Sequence, residues 1–190
     1  GGGTAFYPTN MPFHRRARDL GDHDMLGEMT AGSKALGMAV VARLDPHYLR
    51  DDAFAAHPEW VVRTRDGKPR RHPVAPDLYL ACPNGPFIST FMTDVITEIA
   101  SRYPIDGIFG NRWGGYNSVC YCAICKSQFK AASGYDIPAA LGSFGMPAMG
   151  HPEEDASRAY LLWYQDKRFE QIALWTATAK KVRPELFFVG

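Results

Sequence analysis

Apolar residues first recur at helical spacing over residues 22–36. Met25, Leu26, Met29 and Leu36 fall close to one face, Asp22 is placed to cap the start, and Gly37 ends the segment. Directly after it, Met38-Ala39-Val40-Val41-Ala42-Arg43-Leu44-Asp45 is an apolar run that turns polar at its C-terminal end, the pattern of a buried parallel strand. A long excursion follows, with His57-Pro58-Glu59-Trp60 and a hairpin turned at Asp66-Gly67. Leu78-Tyr79-Leu80-Ala81-Cys82 then reads as a strand. It leads through Pro83-Asn84-Gly85-Pro86 into a helix over residues 87–103, where Ile88, Phe91, Met92, Val95, Ile96 and Ile99 make a wide apolar stripe.

The cycle repeats. Pro104-Ile105-Asp106-Gly107-Ile108-Phe109-Gly110-Asn111-Arg112-Trp113 predicts a short strand ending in polar and aromatic residues, followed by a cysteine-rich loop and a short helix over 126–132. After a stretch rich in Gly, Pro and Met, a long helix is expected over 155–182 and a last strand over 186–189. Strand, elaborated loop, helix, strand is the grammar of parallel α/β architecture. Loops at the strand C-termini are long, while the helix-to-strand joints at Gly37-Met38 and Tyr103-Pro104-Ile105 are short. That asymmetry fits a (β/α)8 TIM barrel with its site at the C-terminal face, here incomplete and spanning about strands 2 to 5. The alternative, a doubly wound open sheet, lacks both a Gly-x-Gly-x-x-Gly after a strand and a P-loop. The expected organisation is one partial barrel domain over 1–190 with long loops at 46–77 and 114–152.

Composition narrows the function classes. With 190 residues, 46% of them hydrophobic, the chain can bury one sizeable core. A formal charge of +1, from 21 basic and 20 acidic residues, gives no field to recruit nucleic acid or an anionic membrane. The basic stretch over 63–71 is interrupted by Asp66-Gly67 and reads as a charged hairpin, and no apolar run approaches the ~20 residues of a membrane span. The chain opens on Gly1-Gly2-Gly3 without an initiator Met and closes on Leu186-Phe187-Phe188-Val189-Gly190, which reads as a strand cut off as it begins. Both ends are therefore expected to be missing, and the compartment stays open. An open partial barrel would expose two unpaired strand edges, so a homo-oligomer also stays open.

Four cysteines carry the sharpest chemical signal. Cys120-Tyr121-Cys122-Ala123-Ile124-Cys125 is a C-x-C-x-x-C cluster and Cys82 is the only other cysteine. Zinc takes four soft donors in a tetrahedron, and a tight turn can present three thiolates to one point. Cys82 closes one expected strand and the cluster follows the next, so in a barrel all four reach the same face. A disulfide from Cys82, or unrelated buried thiols, are the competing readings. A site of four thiolates is closed and hence structural.

These cysteines, with Lys126, Phe129-Lys130 and Gly134-Tyr135 after them, resemble the zinc cluster of glycoside hydrolase family 42 β-galactosidases. A closer resemblance is to the hypothetical glycoside-hydrolase-like group adjacent to that family. It is carried by Ala5-Phe6-Tyr7-Pro8-Thr9, Asp24-Met25-Leu26-Gly27-Glu28, Ala42-Arg43-Leu44-Asp45, His57-Pro58-Glu59-Trp60 and Tyr103-Pro104-Ile105-Asp106-Gly107-Ile108-Phe109, and spans roughly residues 5–135. The resemblance implies a glycosidase-type barrel, a carbohydrate substrate and a structural zinc. In family 42 the fourth strand ends in Asn-Glu, the Glu being the general acid/base. Here the matching pair is Asn111-Arg112, and neither an amide nor a guanidinium can donate the required proton. Both retaining and inverting hydrolysis need two carboxyl groups across the bond. The catalytic pair is therefore expected outside this segment, with Asp45 and Glu59 as the candidates inside it.

Other residues are weighed individually. Arg43 and Asp45 end a strand at the expected active face and could bind sugar hydroxyls or brace the loop as an ion pair. Trp60, Trp113 and Tyr116 could stack on pyranose faces, though Trp60 could equally anchor its loop. Asn111 and Arg112 complete the expected pocket wall. Asp106, at the start of its strand, is expected to be structural, and Trp163 and Trp175 to be core. The expected function is a glycoside hydrolase or hydrolase-like protein, with a catalytically silent glycan-binding barrel as the alternative.

Overall fold

The computed structural model describes residues 4–73, 75–111, 119–139 and 150–189. In chain order the elements are β1 (Thr4–Ala5), β2 (Arg15–Arg16), α1 (Met25–Ala35), β3 (Val41–Leu44), β4 (Tyr48–Arg50), α2 (Asp51–Ala56) and β5 (Leu78–Leu80). A π-helical turn (Phe87–Phe91) leads into α3 (Met92–Arg102), followed by β6 (Gly107–Gly110), α4 (Ala123–Ser133), α5 (Glu154–Val182) and β7 (Phe187–Val189).

The central sheet has three strands in the order β3-β6-β7, all parallel. Period-two alternation splits it into two unlike faces. Ala42, Leu44, Ile108 and Phe188 point to the side covered by α3 and α5, where Ile96, Ile99, Trp175 and Leu186 complete the main core. The other face carries Val41, Arg43, Phe109, Phe187 and Val189, and it is open: Val41 is 43%, Phe109 36%, Phe187 43% and Val189 47% exposed. Gly107 belongs to this face because a Cβ there would meet the Phe187 ring at 2.5 Å. The flanking helices are open too. Met25, Met29 and Leu36 in and beside α1, and Leu162, Phe169 and Leu174 on α5, are exposed.

Three expectations are corrected. The segment 78–82 does not join the parallel sheet. β5 pairs antiparallel with β4 instead, so β3 lies directly against β6 and α3 is the crossover between them. The reason is the polar turn after β3: Pro46-His47 folds the chain back so that Tyr48–Arg50 offers β5 a partner within the same excursion. Among the described residues the parallel sheet therefore has three strands, where four were expected. The cap of α1 is Asp24, whose carboxylate accepts from the Gly27 N–H at 2.9 Å, and the helix starts three residues later than expected. Of the apolar stripe of α1, Met25, Met29 and Leu36 face outward and Leu26 packs on the main core, with Thr30 the helix's one buried residue.

Elsewhere pattern and structure agree. The hairpin turns at Asp66-Gly67, with the Thr64 N–H bonded to the Lys68 carbonyl at 2.9 Å. Asp106 sits at the N-terminal end of β6, where Lys34 reaches both carboxylate oxygens at 2.5 and 2.6 Å and the Val40 N–H donates at 2.6 Å. That clamp joins the end of α1 to the sheet and draws the Asp106 carboxyl below the usual carboxylate range. Among the described residues no helix is long and apolar enough to cross a membrane.

Candidate functional site

The four cysteines converge. Cys82 follows β5, with its N–H held by the Trp60 carbonyl at 2.7 Å, and so rides on the antiparallel excursion. Cys120 lies in the segment before α4, which docks on the excursion through the Tyr121 N–H to the Arg63 carbonyl at 2.8 Å. Cys122 is the N-cap of α4, its sulfur accepting from the Cys125 N–H, and Cys125 is in the first turn of that helix. The Cys82 sulfur stands 3.6 Å from each of the other three, and all four lie within 4.8 Å of one another.

The donor set fits a tetrahedral metal. Zinc–sulfur bonds near 2.3 Å make a tetrahedron with an edge of about 3.8 Å. Separations of 3.6 Å are close to that edge and far beyond a disulfide bond, and all four cysteines are free. Cys82, Cys120 and Cys125 are fully buried and Cys122 is partly so. Hydrogen bonds from its neighbours pull the Cys122 thiol well below its ordinary value, whereas those of Cys82 and Cys125 are pushed up. Four thiols this close compete for charge, and a divalent cation relieves that competition by making all four thiolates.

Around the cluster a second small core has formed. Val62 and Leu80 come from the excursion, Phe129 from α4, and Tyr160 and Trp163 from α5. Phe129 packs on both Tyr160 and Trp163 with ring centroids 5.3 and 5.4 Å away. Three elements distant in sequence are thus gathered at one point, which is what a structural metal does for a small domain.

The second constellation is polar and sits at the C-terminal ends of β3 and β6. The Asn111 N–H extends the ladder to the Leu44 carbonyl at 2.7 Å, and its side-chain amide donates to the Asp45 carboxylate. Arg43 approaches the same carboxylate oxygen at 3.1 Å. Burial alone would raise the Asp45 pKa, but the hydrogen bonds from Asn111 and Arg43 outweigh it and hold the carboxyl below its ordinary value. Asp45 is therefore ionised at neutral pH, suited to accept hydrogen bonds or stabilise positive charge and unsuited to act as a general acid.

The remaining sequence candidates lie elsewhere. Glu59 is exposed and tied to His57 at 3.1 Å. Trp60 is only 7% exposed and stacks flat on His57 with centroids 4.0 Å apart, edged by Phe13 and Phe87. That packing is a loop anchor's, with no face left for a sugar. Arg112, Trp113 and Tyr116 lie outside the described residues. Sequence reasoning did not single out Tyr48, whose phenol is raised by burial and by the nearby Asp45 charge; its only signal was a position three residues after the strand's acid.

Comparison with known proteins supplies the family. The sequence matches the family described as Hypothetical glycosyl hydrolase 6 over residues 1–112. The chain belongs to this family. Among solved structures it is similar to alpha-L-fucosidase isoenzyme 2 from Paenibacillus thiaminolyticus, at 18% identity and a TM-score of 0.64, covering 97% of this chain and 25% of that one. It is also similar to a polyextremophilic beta-galactosidase from the Antarctic haloarchaeon Halorubrum lacusprofundi, at 19% identity and a TM-score of 0.64, covering 88% of this chain and 29% of that one. At such identities the likeness concerns the fold. The chain spans between a quarter and a third of the length of these two proteins. No curated protein matches.

Proposed function

We propose that this chain is part of a glycoside hydrolase or hydrolase-like (β/α)8 barrel that acts on a carbohydrate. The observation that carries the reading is the ionised Asp45, braced by Arg43 and Asn111 at the C-terminal ends of adjacent parallel strands. In a barrel that end is where substrates bind. The open sheet face supports the barrel. Apolar side chains at Val41, Phe109, Phe187 and Val189 are what further strands would bury as a closed interior, and the exposed flanks of α1 and α5 are where neighbouring helices would pack. One partial-barrel domain over 1–190 accounts for all three surfaces.

In this reading Arg43, Asp45 and Asn111 hold sugar hydroxyls, and Arg112 and Trp113, next in sequence after Asn111, are proposed to bind substrate as well. The four cysteines Cys82, Cys120, Cys122 and Cys125 would hold a structural zinc, which supplies a fixed cross-link and no reaction step. The cross-link ties the excursion after β3 to the start of α4 and so fixes two loops of the binding face. Hydrolysis needs a second carboxyl group, and none of the described residues places one against the Asp45 trio. The acid therefore comes from beyond this segment. If it does not, the alternative is a silent glycan-binding barrel, favoured by Asn111 and Arg112 standing where an acid is required.

The test uses full-length protein with a panel of aryl glycosides and oligosaccharides, beside Asp45→Asn and Arg43→Ala. Turnover lost in Asp45→Asn supports the enzyme. Calorimetric binding that weakens in both variants without any turnover supports the silent barrel. Neither binding nor turnover on any member of the panel would overturn both readings.

A further inference from the structure

We propose that Asn84 is a positioning residue for the four-thiolate site, donating its side-chain N–H to Cys125 and screening that sulfur from a neighbouring groove. The inference rests on the metal-site reading above.

Asn84 belongs to the turn that leads from Cys82 into the π-helical segment. The turn is drawn tight against the cluster. The Gly85 N–H bonds back to the Cys82 carbonyl at 3.3 Å, and a Cβ on Gly85 would stand 3.3 Å from the Cys82 Cβ and 3.5 Å from its sulfur. On the other side the Gln171 amide of α5 donates to the Pro83 carbonyl. Held between these two bonds, the Asn84 Nδ2 lies 3.4 Å from the Cys125 sulfur.

Among the described residues, three of the four sulfurs receive an N–H. The Arg63 backbone N–H reaches Cys120 at 3.4 Å, the Cys125 backbone N–H reaches Cys122 at 3.4 Å, and Asn84 serves Cys125. The first two donors are backbone and come with the fold. Asn84 is the side chain among them, so it is the donor that a substitution can remove alone. A divalent cation with four thiolates carries a net charge of minus two, and each N–H spreads that charge and lowers the electron density a sulfur presents to the metal.

Asn84 also has an outer side. It lines a groove of about 230 Å³ together with Ser89, Gln128, Lys167 and Gln171. Cys125 lies fully buried behind it. The amide is thus a residue of that groove wall that hydrogen-bonds a cluster sulfur, and in this reading its shape keeps water and chelators off the metal–sulfur bond.

The experiment uses cobalt(II) as the probe in the reduced, metal-free chain, with Asn84→Leu, Asn84→Asp and Asn84→Gln. Leucine keeps the shape without a donor, aspartate adds a charge in place of the N–H, and glutamine keeps the amide. We expect the sulfur-to-cobalt charge-transfer bands to shift in the leucine and aspartate variants and to move back toward wild type with glutamine. Release of cobalt to a competing chelator should quicken about tenfold in Asn84→Asp and severalfold in Asn84→Leu. Far-UV circular dichroism of each variant, matched to wild type, separates this from misfolding. If the wild type shows tetrathiolate bands while neither leucine nor aspartate moves them or the release rate, the Asn84 assignment fails alone. If the wild type takes up no cobalt, the metal-site reading falls and Asn84 with it.

Discussion

The two halves of this molecule reach order by different routes. The cysteine region is finished within the chain: four sulfurs within 4.8 Å of one another, a ring of Val62, Leu80, Phe129, Tyr160 and Trp163, and three elements docked on one point. The sheet region is finished on one side only. Ala42, Leu44 and Ile108 bury against α3 and α5, while Val41, Phe109, Phe187 and Val189 on the other face stay partly exposed. A small region beside the main core is closed by its own aromatic and sulfur-bearing side chains, and a larger one leaves apolar surface open. The comparison teaches that completeness here follows the source of cohesion. Four thiols can converge on a single point, whereas hydrophobic burial grows with every apolar face that is covered.

The comparison can be broken most directly at a ligand. Cys125→Ser should abolish stoichiometric metal binding and cost on the order of 5 kcal/mol or more, because ligand loss exposes the coordination energy that holds three elements together. Elemental analysis beside a chemical denaturation curve checks it. An unchanged midpoint would mean that the second core stands on packing alone. Phe129→Ala tests that packing. It should cost about 3–5 kcal/mol by leaving a cavity against Tyr160 and Trp163, with the metal still bound but more easily removed.

A third test separates the halves by pH. His14 is buried beside Phe91 and Tyr7, whose hydroxyl bridges it to Glu98, and burial pushes its pKa down from 6.5 to about 4. An unfolded chain binds the proton near pH 6.5 and the folded one does not. The contribution of His14 is therefore complete above pH 6.5 and is lost as pH falls toward 4, by up to about 3 kcal/mol. Denaturation midpoints at pH 7 and 5 should differ for wild type and much less for His14→Gln. The smallest effect is expected at the open face. Phe109→Ser should cost only about 1–2 kcal/mol, since a ring already 36% exposed gives up part of its apolar burial, while lowering self-association in sedimentation velocity.

Legibility in the sequence followed the range of the interactions. The convergence of the four cysteines could be read because C-x-C-x-x-C is a local spacing with a chemical reason, and the helix α3 because its apolar positions repeat. Asp106 was correctly placed at a strand start, where Lys34 clamps it. The segment 78–82 was misplaced because an apolar run of that length suits a parallel and an antiparallel partner equally, and Tyr48–Arg50 was too short to register as a strand. Trp60 could be read as a sugar platform or an anchor until the position of His57 was known.

By itself the sequence determined the alternation of strands and helices, the near-neutral charge, the clustering of the four cysteines and membership of a glycosyl-hydrolase family. Each of these is written in residue type and short-range spacing. The tertiary structure decided which strands are neighbours, which side of the sheet is covered, and that Arg43, Asp45 and Asn111 meet at one end. It also decided that Asn84 touches a cysteine 41 residues away. Those are contacts between elements far apart in the chain, fixed only when burial of the whole α/β layer selects one pairing from several that local pattern allows.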